Sequence, residues 1–262
     1  MEQGKKELYL KMINENPFYI RNVENPTEEM KFTGVKRNGS VIQYIKNPSC
    51  ELQMEAIKSN PLSIEYIDNL SEEVAIVAVT SSWNAIKYVK NPSEDIIKKA
   101  LSMKGWAIQY IKNPSEEIKL IAVNKDFDSI KYIKDPSKDV QIAAVKNYWG
   151  AIKFINEPCL EVQVESIRES EQAISYIDFT GEEKIKMFLR ANINIVKYIH
   201  EDIEPQWLDD VLMEKLGDKN VDEKYVIDFL NLEILDMDKL NFVYKYGSKK
   251  AKKIVIDYKL SI

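Results

Sequence analysis

Large aromatic and lysine side chains recur at matched places in the middle of the chain. Trp83, Phe127 and Trp149 are separated by multiples of 22 residues; Trp106 lies one position beyond the equivalent place and Tyr148 one before it. The flanking copies hold Gly39, Pro61, Glu171 and Ile193 there. Lys87, Lys131 and Lys153 share a second column, continued by Lys197, and Lys90, Lys112 and Lys134 share a third, three residues on. Positions three apart lie on one helical face, so stacking would draw these lysines into a basic band beside the aromatics. Such a surface does binding chemistry. Aromatic rings next to cations suit an acidic protein partner, and the same pairing could stack bases and hold phosphates of a nucleic acid or nucleotide. In the plainer reading, the aromatics plug corners between units and the lysines form a solvated face.

Bond-making chemistry finds little footing. His200 is the one histidine, and it occupies the column of Lys46, Lys90, Lys112 and Lys134, which reads as an exposed polar position rather than a base. Cys50 and Cys159 belong to no CxxC pair, which argues against a disulfide framework or zinc site and fits a reducing cytoplasm. No Walker loop, GxGxxG, HExxH or GxSxG motif occurs. The carboxylates cluster where first helical turns are expected, so capping accounts for them. A non-enzymatic protein with no cofactor or metal is therefore expected. An enzyme with a site in a groove or in the C-terminal region is the least supported alternative.

The totals agree. A net charge of -5 disfavours a general polyanion binder while leaving room for a local basic patch. The chain is 45% hydrophobic and 30% charged, enough for a core and a solvated surface. No apolar run reaches about 18 residues, and the N-terminus lacks the pattern of a signal peptide. A cytoplasmic protein with no membrane partner is the expectation.

The elements that carry these residues form an internal repeat of 22 residues without insertion. One column reads Tyr44, Tyr66, Tyr88, Tyr110, Tyr132, Phe154, Tyr176, Tyr198; two residues earlier stand Ile42, Ile64, Ile86, Ile108, Ile130, Ile152, Ile174 and Val196. The Tyr column reads as packing between helices with the hydroxyls reaching the edge. A column of small residues holds Gly34, Ala56, Ala78, Ala100, Ala122, Ala144 and Ser166, each followed by an apolar residue. Each copy predicts two short helices. The first covers segments such as "AIQYIK". The second follows Asn-Pro-Ser or Asp-Pro-Ser, with Asn or Asp as the expected N-cap and proline at the first helical position. A leucine-rich repeat has a similar period, but its strand core conflicts with proline after Asn and an Ala-rich, i, i+4 segment.

A unit this small cannot repay its own ordering entropy, so the copies must stack. The expected fold is all-α: a right-handed α-solenoid of about nine helix-turn-helix repeats. Residues 1–202 form the solenoid, with 1–17 as an N-terminal half-repeat, and 203–262 a non-repeating helical C-terminal cap. Helices are expected over Pro205–Leu216, Asp222–Leu235 and Ser248–Leu260. The repeats resemble the α-solenoids that include HEAT and armadillo proteins, with a unit about half the usual length. They look closer to short two-helix repeats of unknown function in bacterial and phage proteins, where runs like "NPSEEVQLAAV" recur. That resemblance implies a binding scaffold, adaptor or inhibitor, with a role in conflict between phage and host. The abundance of Lys, Ile, Asn and Glu also looks like a low-GC bacterium or its phage.

Overall fold

The computed structural model describes residues 3–260, which divide into two compact units on either side of the Asp135–Pro136 junction. The fold is an all-helical repeat array, and no strand occurs among the described residues.

In the first unit, helix α1 (Gln3–Glu15) precedes five copies of one motif. Each α-helix, α2 (Glu28–Arg37), α3 (Cys50–Ser59), α4 (Glu72–Ser81), α5 (Glu94–Met103) and α6 (Glu116–Lys125), spans ten residues. A six-residue 3-10 helix precedes each of these, at Pro17–Asn22, Gly39–Tyr44, Pro61–Tyr66, Trp83–Tyr88 and Gly105–Tyr110, and another, Phe127–Tyr132, follows α6. Each α-helix packs on the next, and each 3-10 helix on the next. The first element of the repeat is thus a 3-10 helix, whose tighter winding suits so short a segment.

The core follows the columns. Ile20, Ile42, Ile64, Ile86, Ile108 and Ile130 are buried, as are the small residues Gly34, Ala56, Ala78, Ala100 and Ala122 and their successors Val35, Ile57, Val79, Leu101 and Val123. Small side chains let neighbouring helices come close, and the Ile column fills the space beneath the 3-10 helices. In α1, Ile13 is buried in the same register, whereas Leu8 stays exposed.

The capping differs from the sequence expectation. The N-cap is the residue after the proline column, in which Leu70 stands for proline before Ser71: the Ser49, Ser71, Ser93 and Ser115 hydroxyls accept the backbone N–H of Leu52, Val74, Ile96 and Ile118. Thr27 does the same for Met30. The Asn before proline serves the turn instead. Asn47, Asn91 and Asn113 have φ of 45°, 52° and 48°, and Asp135 has 47°. This is left-handed backbone, which Asn and Asp tolerate better than most L-residues.

The second unit continues the motif through α7 (Lys138–Asn147), α8 (Leu160–Glu169) and α9 (Glu182–Ala191), with 3-10 helices at Trp149–Phe154 and Glu171–Tyr176. The pattern then dissolves. Phe188 takes the place of the small residue, fully buried, and α9 packs on α11 (Pro205–Gly217) after the single turn α10 (Val196–Ile199). Arg190 donates two hydrogen bonds to Glu214 Oε2 at 2.8 and 2.9 Å, and Lys186 reaches Asp210 at 3.0 Å. Tyr225, on α12 (Glu223–Leu230), donates its buried hydroxyl to the Leu189 carbonyl at 3.0 Å, and burial pushes this phenol well above its ordinary pKa. The helix expected to run on to Leu235 ends at Leu230, and a further helix, α13 (Lys239–Tyr246), precedes α14 (Lys249–Leu260). Asp238 caps α13 by accepting the Asn241 N–H.

Glu157 holds the left-handed turn position in the second unit, with φ 46°. Its long side chain has none of the local compensation that Asn offers, and left-handed backbone costs an ordinary L-residue about 1–2 kcal/mol. Replacing Glu157→Asn should raise the unfolding free energy by about 1 kcal/mol. Urea denaturation checks this, and an unchanged or lowered midpoint would contradict it.

Candidate functional site

The residues singled out by type form two separate clusters in the first unit. In the first, the 3-10 helix Trp83–Tyr88 carries Lys87 and Tyr88, and the loop after it carries Lys90. The next 3-10 helix ends at Tyr110, followed by Lys112. Lys87, Lys90 and Lys112 line one groove of about 650 Å³ together with Tyr88, Tyr110 and Pro92, and no carboxylate lies in its lining. Lys87 sits over the Tyr88 ring, 4.5 Å from its centroid, and its interaction with the Tyr88 side chain holds its pKa above the ordinary lysine range. Lys90 approaches Asp68 at 3.8 Å, but both are strongly exposed, so the pair contributes little. Trp83 packs on Tyr110 with ring centroids 6.3 Å apart and planes inclined by 30°. The neighbouring groove, lined by Glu65, Asp68, Glu72 and Lys90, is predominantly acidic, so the lysine groove is a local feature of one boundary between copies.

The second cluster surrounds Trp106. The Lys104 and Lys131 ammonium groups lie over its ring at 4.7 and 4.2 Å from the centroid. Its indole N–H donates to Asp128 Oδ1 at 2.6 Å, and Lys131 donates to Asp128 Oδ2 at 3.0 Å. Asp126 accepts from Lys104 at 2.8 Å and from the Gly105 N–H at 2.6 Å. Gly105 explains why the tryptophan is displaced by one position. A Cβ there would lie 2.4 Å from the Ala122 carbonyl oxygen, so a bulky residue is excluded and the aromatic moves to the next place. Trp106 also meets Tyr132 edge-on at 6.1 Å. The cluster is charge-balanced, two lysines against two aspartates, and it braces one copy against the next.

The remaining residues are placed as follows. Phe127 is half-buried at the start of its 3-10 helix, and Lys134 is exposed just after it. In the second unit, Tyr148 and Trp149 pack at 5.3 Å, Trp149 meets Tyr176 at 6.2 Å, and Lys153 lies over Phe154 at 4.9 Å. His200 is exposed in a short 3-10 turn, His200–Asp202, 3.9 Å from Glu201. Cys50 and Cys159 are free and exposed. Among the described residues no group of His, Cys, Asp and Glu is arranged to hold a metal ion, and no helix is long and apolar enough to cross a membrane.

The lysine band expected from the columns is therefore discontinuous in chemistry. Lys131 is committed to Asp128 and Trp106, whereas Lys87, Lys90 and Lys112 share a groove. The tyrosines are more accessible than packing alone requires: Tyr44, Tyr66, Tyr110 and Tyr132 are 37–41% exposed, so the groove walls are aromatic. Sequence reasoning missed Lys104, Asp126 and Asp128. Their signal was present in the spacing: Asp128 precedes Lys131 by three residues, and Lys104 precedes Asp126 by one period. Comparison with protein families, with curated proteins and with solved structures finds no match.

Burial pushes the Asp128 carboxyl up, but hydrogen bonds from Trp106 and Lys131 outweigh it and hold its pKa below the usual carboxylate value. A depressed native pKa contributes stability that is present above the unfolded value of about 3.9 and is lost as pH falls through the native one. The wild-type chain should therefore lose its stability advantage over Asp128→Asn as pH is lowered from about 5 towards 3. Urea unfolding of both proteins across that range tests this; a difference independent of pH would contradict it.

Proposed function

We propose that the chain is a non-enzymatic binding scaffold that takes an acidic, extended protein segment along the groove of Lys87, Lys90 and Lys112. The observation that carries this reading is the convergence of three lysines and two half-exposed tyrosines in one groove free of carboxylates. Charge attracts the partner and sets its on-rate, and tyrosine offers contact area at low entropic cost. Binding a nucleic acid or nucleotide is the second reading of the same band. The aromatic faces weigh against it: Trp83 is stacked on Tyr110, and Trp106 lies beneath two ammonium groups. Rings already engaged inside the fold are poor platforms for bases. The resemblance to short bacterial and phage repeats adds the finer reading, a cytoplasmic adaptor or inhibitor in conflict between phage and host.

The experiment compares a labelled oligoglutamate peptide with a single-stranded oligonucleotide of equal charge, by fluorescence anisotropy. The peptide should bind at least as tightly as the oligonucleotide, and Lys87→Glu with Lys112→Glu should weaken it about tenfold. Tighter oligonucleotide binding with a steep loss on added salt would favour the second reading instead.

A further inference from the structure

The last two helices carry a surface that the lysine groove does not involve. Residues 239–260 hold seven lysines and one aspartate, a net charge of +6 in a chain whose total is -5. On α14, Ala251 and Ile254 are buried, whereas Lys249, Lys253, Ile256 and Leu260 are exposed. Their spacing of i, i+4, i+7 and i+11 puts these four on one outward face. On α13, Val243 is buried, and Leu240 and Tyr244 are exposed at i, i+4. The exposed apolar groups are large: Leu240 is 45% accessible, Ile256 59%, Tyr244 76% and Leu260 83%. Leu240 and Tyr244 of α13 line a trough of about 560 Å³ together with Val255, Ile256 and Leu260 of α14, and Lys259 also lines it. Lys252 lies 5.4 Å from the centroid of the Tyr244 ring.

We infer that this trough docks an amphipathic helix with acidic flanks, supplied by a partner protein. Two packed helices leave a shallow apolar furrow, and a third helix laid along it buries anchors at i, i+3 and i+4. The lysines select the flanks, because a helix with Glu or Asp beside its apolar stripe sets opposite charge against Lys259, which lines the trough, and Lys252, beside the Tyr244 ring. A second copy of this chain is disfavoured by the same charges, since a two-fold contact would oppose one lysine-rich surface to another. This surface takes a helix by its apolar stripe, whereas the groove in the first unit takes an extended segment by charge, so either can fail without the other.

The test uses the full chain and a labelled synthetic peptide of about 18 residues, with Leu at helical i, i+3, i+4 spacing and Glu elsewhere. A counterpart carries Lys in place of Glu. Anisotropy should show the acidic peptide binding at least about tenfold more tightly than the counterpart. Ile256→Glu combined with Leu260→Glu should weaken it by about tenfold or more, with the far-ultraviolet circular dichroism unchanged. Lys253→Glu with Lys259→Glu provides a second variant that leaves the apolar side chains in place and should also weaken binding. Equal binding of the two peptides, or affinity unaffected by either variant, would overturn the inference. So would sedimentation with phosphatidylglycerol vesicles in the absence of peptide binding, which would assign the surface to an anionic bilayer.

Discussion

Contact between neighbouring copies through a column of residues with almost no side chain is the constraint on which everything else rests. Gly34, Ala56, Ala78, Ala100 and Ala122 are each buried in the first unit, and each is followed by a buried aliphatic. A ten-residue α-helix and a six-residue 3-10 helix are both too short to persist in water alone. Their stability comes from the next copy, so the packing column cannot vary without cost. The columns outside it can. This division of labour lets lysine, glutamate and aromatic side chains change from copy to copy while the frame stays constant.

The turn chemistry has a consequence for the surface. A left-handed Asn before proline, then a serine cap, ends the 3-10 helix and starts the α-helix within a few residues. The residues just before and after that turn, such as Lys87, Lys90 and Lys112, are therefore held at a groove margin by short, well-capped elements rather than by a mobile loop. At the next boundary other positions of the repeat come into play. Asp128 and Asp126 neutralise Lys131 and Lys104 around Trp106, and the surface there becomes a brace. Adjacent copies thus convert one template into a lysine-lined groove and a charge-balanced clamp by changing a few side chains.

The repeat period, the all-helical class and the buried columns could all be read from the sequence, because hydrophobic recurrence reports directly on what must be hidden. Four features could not. The 3-10 character of the first helix depends on packing around the Ile column, which spacing alone does not reveal. The cap was assigned to Asn, when the structure gives that task to Ser93 and Ser115 and puts Asn91 and Asn113 in left-handed backbone; both residue types suit both roles. The candidate site was read from its aromatics and cations without the anions that meet them, so Lys131 and Lys87, which share a column, looked equivalent. Only the approach of Asp128 from the same 3-10 helix separates them. In the C-terminal region, α13 escaped notice because its eight residues show one buried anchor, Val243, and no repeat to compare with.

Circular dichroism of an isolated peptide covering residues 83–104, one complete copy, tests the dependence on neighbours most directly. The peptide should be unstructured at temperatures where the whole chain is helical and melts cooperatively. A peptide that folded by itself, with helical content matching its share of the intact protein, would contradict the account.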